Sequence, residues 1–212
     1  MKATIRAISM PPKNFESTLD EDSALVDLQS ELNLFSFPRV IECFDISNLG
    51  QEHVVSGMVR FTDAKPDKSN YRKLRIKIFI GQDDFAAINE VVRRRYKRLT
   101  EENAQLPDMV IVDGGSWQVT AAQSALKMLR LQLLVIGLAK EHEDIFLPGE
   151  STPLCFSKNS RMMLLLRQIR DAAHDFSIGY NRKRRQIKMR EEFQEKTNQK
   201  KNNCNPKLQK PS

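Results

Sequence analysis

The spacing of apolar positions changes period part-way along the chain, and the change divides it into two kinds of structure. Val40-Ile41-Glu42-Cys43-Phe44-Asp45-Ile46 is a nearly continuous apolar run, the pattern of a buried strand. Val54 to Thr62 repeats it after a turn at Gly50. Residues 63–70 are polar, contain Pro66 and read as a hairpin loop. Leu74, Ile76, Ile78 and Ile80 then alternate with Arg75, Lys77 and Phe79, a period of two. Three such strands with short links predict an antiparallel meander.

From Asp83 to Leu99 the period becomes helical, with Phe85, Ile88, Val92 and Leu99 on one stripe. Acids open this helix and bases close it, which suits the helix dipole. Met109 to Val112 is a short apolar strand ended by Asp113-Gly114-Gly115. Gln118 to Leu129 reads as a helix, Leu133 to Ala139 as a strand, and Arg161 to Ile178 as a helix burying Met162, Leu165, Leu166, Ile169, Ala173 and Phe176. The order βββαβαβα predicts an α/β fold of the ribonuclease H-like kind. Its mixed sheet has three antiparallel strands, then alternating helices and strands, with helices on both faces.

The ends read differently. Met10-Pro11-Pro12 breaks any early helix, and Asp20 to Leu34 predicts one short amphipathic helix through Leu25, Leu28 and Leu32. Residues 1–35 are therefore expected to be a partly helical extension and 36–180 the domain. Residues 181–212 are expected to be a basic tail, disordered or a frayed helix. Charge supports the last division. The 212 residues carry +7, but positions 181–212 hold 11 Lys/Arg and 3 Glu, a net of +8, so the other 180 residues sum to −1. A basic tail favours an anionic partner, nucleic acid first.

Other classes drop out. The longest nearly apolar run, Leu131 to Ala139, is far short of the roughly 20 residues a bilayer needs, so no membrane partner is expected. No apolar segment suited to a signal peptide opens the chain. Cys43, Cys155 and Cys204 are odd in number and far apart, which fits a reducing, cytoplasmic compartment.

The candidate chemistry is acidic. Asp45 sits inside an apolar strand, where a carboxylate is costly unless paired or bound to a cation. Asp113 ends the fourth strand, and strand C-termini face the ligand crevice of an open α/β sheet. If the first and fourth strands are neighbours, Asp45 and Asp113 lie close together, and a hard divalent cation resolves their repulsion. Such an ion can bind a phosphate oxygen and activate water. Singly, a strand aspartate is more often structural, and Asp-Gly-Gly is more often a plain turn. His174 lies on the last helix with Arg167, Arg170, Asp171 and Ile178, opposite the apolar stripe, and could ligate a metal or relay a proton. Asp83-Asp84 is accounted for by helix capping. Arg93-Arg94-Arg95-Tyr96-Lys97-Arg98 has five bases in six residues, more than a helix end needs, and suggests phosphate contact.

Several segments resemble the UvrC family, the excinuclease subunit of bacterial nucleotide excision repair. Glu42 to Ser47 matches its "ECFDIS" signature, Gly81 to Ala87 its "GDDYAAM" helix start, and Val92 to Tyr96 its "VLRRRY". Leu106 to Gly115 is similar to "LPDLILIDGG" and Tyr180 to Arg185 to "FHRKKR". Ile136 to Lys140, Phe146 to Gly149 and Ile169 to His174 follow in register, so the likeness runs from about Ala24 to Lys188.

The resemblance implies a metal-dependent DNA endonuclease domain that makes the incision 5′ to a lesion. Catalytic positions would be Asp45, Asp84, Asp113 and His174, with Mg²⁺ or Mn²⁺ held by Asp45 and Asp113. The implied partners are damaged double-stranded DNA, contacted by Arg93, Arg94, Arg95, Lys97, Arg98, Arg182, Lys183, Arg184 and Arg185, and UvrB with other excision-repair proteins. The chain departs from the family at Asn48-Leu49-Gly50, where His-x-x-Gly is usual. No counterpart is expected of the family's GIY-YIG nuclease, UvrB-binding or helix-hairpin-helix regions. The alternative reading is a non-catalytic DNA-binding remnant.

Overall fold

The computed structural model describes residues 19–48, 54–76, 84–140, 142–150 and 152–179, together with 190 and 194. Helix α1 (Leu19–Glu31) precedes strands β1 (Val40–Asn48), β2 (Val54–Thr62), β3 (Lys65–Pro66) and β4 (Arg72–Arg75). Helix α2 (Asp84–Glu101), β5 (Met109–Asp113), α3 (Ser116–Met128), β6 (Leu134–Leu138) and β7 (Ile145–Phe146) follow. A last helix, α4, covers 161–179. The sheet order is β3-β2-β1-β5-β6-β7, with β4 also on β2. The β1–β2 and β2–β4 pairs are antiparallel, whereas β1–β5 and β5–β6 are parallel. This is the ribonuclease H-like mixed sheet that the order of elements predicts.

Alternation along each strand sorts residues between two cores. Ile41 and Cys43 of β1, Met109 and Ile111 of β5, and Ile136 and Leu138 of β6 share one cluster with Leu25 and Leu28 of α1 and Met162, Leu166 and Ile169 of α4. Phe44, Val110, Val112 and Val135 point the other way, against Ile88, Val91 and Val92 of α2 and Ala122 and Leu126 of α3. Each strand is thus apolar on both faces, because helices cover both.

Three details differ from the pattern reading. The polar stretch 63–70 is not plain loop: Lys65–Pro66 pairs with β2, and Lys68–Asn70 is a 3-10 turn. The short edge strand β7 lies antiparallel to β6, where two residues are too few to show a period. The helix of the expected extension packs into the core through Leu25 and Leu28, and Asp27 receives two hydrogen bonds from Arg161 at the start of α4, at 2.9 and 3.1 Å. Much of the third expected strand, residues 77–80, and most of the basic tail lie outside the described residues. No helix among the described residues is long and apolar enough to cross a membrane.

Candidate active site

The parallel register of β1 and β5 aligns Cys43 with Ile111 and Phe44 with Val112. One step further sets Asp45 beside Asp113. Two-residue alternation puts both on the α4 face, in line with Cys43 and Ile111. On that face α4 supplies His174, whose Nδ1 lies 3.5 Å from Asp45 Oδ1. One ligand atom from each of Asp45, Asp113 and His174 falls within 4.8 Å of the others. Asp45 is only 3% exposed.

A close approach of backbones fixes α4 over this pair. Gly57 lies opposite Asp45 in the β1–β2 ladder. Its N–H donates to Ser177 Oγ at 3.1 Å, and Ser177 Oγ reaches the Asp45 carbonyl at 3.5 Å. A Cβ on Gly57 would collide with Ser177 Oγ and lie 3.2 Å from the Ser177 nitrogen, so glycine lets the helix seat one turn beyond His174. At the end of β5, Gly114 takes φ +146°, a conformation that suits glycine, and the chain turns into α3. There the Gln118 side chain accepts the Gly115 N–H at 3.0 Å.

The electrostatics are those of two acids sharing one pocket. Burial pushes the Asp113 carboxyl above the usual carboxylate range, and its hydrogen bond with Asp45 pushes it further; Lys140 opposes both. Burial also drives the Cys43 thiol well up, assisted by Asp113 and Asp45, so this cysteine is an inert core residue. Two carboxylates and an imidazole at this spacing form a donor set suited to a divalent cation.

A family model described as the UvrC RNase H endonuclease domain matches residues 29–178. The chain belongs to that family. It is 46% identical over 171 residues to the UvrABC system protein C of Methanococcus maripaludis, covering 80% of this chain and 32% of that protein. The protein of the same name from Methanosarcina mazei is 48% identical over 159 residues, 75% of this chain and 30% of that one. The chain therefore spans about a third of the length of the curated UvrC relatives it matches. The crystal structure of human ENDOV superposes loosely, at a TM-score of 0.41 with 11% identity, covering 79% of this chain and 92% of that one.

The remaining residues expected at a UvrC site stand on α2 or outside the described residues. Asp84 is the first residue of α2, and its side chain lies outside the described residues, as do Arg182, Lys183, Arg184 and Arg185. Arg93 is exposed on α2. Arg94 pairs with Glu90 at 2.6 Å, Lys97 with Glu101 at 3.7 Å and Arg98 with Glu102 at 2.7 Å, each one turn away on the same helix.

Arg95 departs from its expected DNA-contact role. It is 8% exposed and points into the core, where Nη2 and Nε bond the Glu42 carboxylate at 2.7 and 3.4 Å. A guanidinium that is itself buried and bonded to a core carboxylate has no free face for a phosphate. Sequence reasoning missed this partner although Glu42 carries the same signal as Asp45, an acid within an apolar strand. It also gave Lys140 no role. Lys140 continues the alternation of Ile136 and Leu138 past β6, and its Nζ lies 3.1 Å from Asp113 Oδ2 and 3.2 Å from His174 Nδ1.

Proposed function

We propose that this UvrC RNase H endonuclease domain is a metal-dependent DNA endonuclease, hydrolysing a phosphodiester bond 5′ to a lesion in double-stranded DNA. The observation that carries the reading is the convergence of Asp45, Asp113 and His174 from β1, β5 and α4. Asp45 and Asp113 would hold Mg²⁺ or Mn²⁺ through carboxylate oxygens, and His174 would be a third ligand or move a proton near the attacked phosphate. A divalent ion bound there neutralises charge on the phosphate and activates water. Burial of Asp45 and the seating of α4 by Gly57 and Ser177 keep the donors in place without reorganisation. Asp84 would assist in positioning, from the start of α2.

Duplex DNA would be gripped by Arg93, Arg94, Lys97 and Arg98 of α2 and by Arg182, Lys183, Arg184 and Arg185 of the basic tail. Domain 36–180 would thus carry the chemistry and residues 181–212 sequence-independent affinity. UvrB and other excision-repair proteins are the partners that family membership supports, in a cytoplasmic setting.

The test is nicking of a pre-nicked, lesion-bearing duplex with Mn²⁺, run beside Asp45→Ala. Trp117, the single tryptophan of the chain, is 73% exposed on the first turn of α3 and offers a fluorescence reading of DNA binding in the same samples. Metal-dependent nicking that Asp45→Ala abolishes while DNA binding persists is the expected result. Equal nicking by the variant overturns the site. Binding that survives EDTA, with no nicking under any metal, establishes the non-catalytic alternative.

A further inference from the structure

One neighbour of the cluster is a residue with a positive charge of its own. Lys140 Nζ sits 3.1 Å from Asp113 Oδ2 and 3.2 Å from His174 Nδ1, and that same Nδ1 is 3.5 Å from Asp45 Oδ1. An ammonium thus stands among the three groups that converge as metal ligands. It offers only donors, so a hydrogen bond to His174 would use the imidazole lone pair on Nδ1. A divalent cation bound through Nδ1 would need that same lone pair. It would also draw on the carboxylate charge that Lys140 now faces. One lone pair cannot serve both. A divalent ion on Nδ1 and the Lys140 ammonium would then be alternative occupants.

The side chains differ in their freedom to yield. Asp113 is 9% exposed at its side chain and Lys140 is 51% exposed. Asp113 is fixed at the end of a central strand, whereas Lys140 lies beyond the end of β6 on a flexible four-carbon stem. Displacing Lys140 therefore takes rotation of an exposed side chain rather than movement of the fold.

We infer that Lys140 is a built-in, displaceable counter-cation of the Asp45–Asp113–His174 cluster: it stabilises the metal-free acid pair and competes directly with the divalent ion. This rests on the metal-site reading above and adds to it a positioning residue that acts through the ligands. The competition sets how much free metal is needed before the site fills. It also keeps the two carboxylates from repelling each other when no metal is present.

The experiment measures Mn²⁺ binding to the full chain without DNA, by the loss of the free-ion electron paramagnetic resonance signal on titration. Wild type, Lys140→Met and Lys140→Arg are compared, with Asp45→Asn as the control that removes a ligand. Removing the competing charge should tighten Mn²⁺ binding about tenfold in Lys140→Met, because a neighbouring cation at such distances opposes a second one strongly. Lys140→Arg keeps the charge and should stay near wild type. In the absence of metal, Lys140→Met should melt at a lower temperature than wild type, with the loss recovered on adding Mn²⁺. Equal or weaker Mn²⁺ binding by Lys140→Met, while wild type binds and Asp45→Asn does not, overturns this inference and leaves the metal site standing. Absence of Mn²⁺ binding by wild type overturns the metal site and this inference with it.

Discussion

Strand β1 carries two buried acids three positions apart, on opposite faces of the sheet, and their surroundings could hardly differ more. Glu42 faces α2 and is fully enclosed. Arg95 bonds it through two nitrogens, the Tyr96 hydroxyl donates to Oε2 at 3.1 Å, and Arg60 approaches to 3.8 Å. Burial, then the Glu42 charge, pushes the Tyr96 hydroxyl well above its ordinary range, so it remains a donor. Asp45 faces α4 and meets a second acid, a histidine and, through them, one exposed lysine. Glu42 is surrounded by donors that are themselves buried. Asp45 lies among groups that include a second acid, and the one lysine of the cluster is half exposed. Glu42 is thus held among buried cationic and hydroxyl donors, whereas Asp45 shares its pocket with a second carboxylate and an imidazole.

Substitutions should separate the two acids. Asp45→Asn should cut nicking roughly a thousandfold, about 4 kcal/mol in barrier, yet leave the melting temperature nearly unchanged. Glu42→Ala should do the reverse: it strands a buried guanidinium and should cost about 3 kcal/mol or more of stability by urea unfolding. A Glu42→Ala protein as stable as wild type would erase the contrast.

The next effect concerns the clasp over Asp45. Gly57→Ala forces Ser177 away and should cost about 2 kcal/mol, as overpacking does. Because His174 rides on the same helix, Mn²⁺ binding should weaken alongside. Loss of stability with unaltered Mn²⁺ binding would show that the clasp does not place His174.

A smaller effect is expected from Asp113→Asn in the absence of metal. The folded chain raises the Asp113 carboxyl, so it binds the proton more readily than the unfolded chain does. Stability from this group is therefore present at low pH and declines as pH rises from the ordinary carboxylate range through the raised folded value. Asp113→Asn removes that penalty. It should be more stable than wild type at neutral pH, with the gap closing under acid. A gap that widens on acidification would reverse the assignment.

Much of this was legible in the chain. The change from period two to a helical period located the core strands and the helices, because both faces of the sheet are packed and the apolar signal is strong. Asp45 stood out because it breaks an apolar strand and Asp113 because it ends one, whereas His174, opposite the apolar stripe of its helix, drew its weight from the family resemblance. Arg95 did not, because its partner Glu42 is 53 positions away and a run of bases looks alike whether it faces water or the core. Lys140 was hidden for a related reason: one lysine past a strand end gains meaning only when α4 arrives above it. The packing of α1 was obscured by the weak, Pro-bounded sequence around it.

The clasp has a consequence in time as well as in space. The contact between Ser177 and the Asp45 carbonyl joins positions 132 apart, and β1 must pair in parallel with a strand that follows the whole of α2. Such distant, parallel closures are slow compared with hairpins and helices. A chain emerging from synthesis makes the β1–β2 hairpin early, with Asp45 in place but without Asp113, Lys140 or His174. The cluster of Asp45, Asp113 and His174 is complete only when α4 has been made and docked. The order of assembly thus leaves the cluster incomplete until the last described helix is in place.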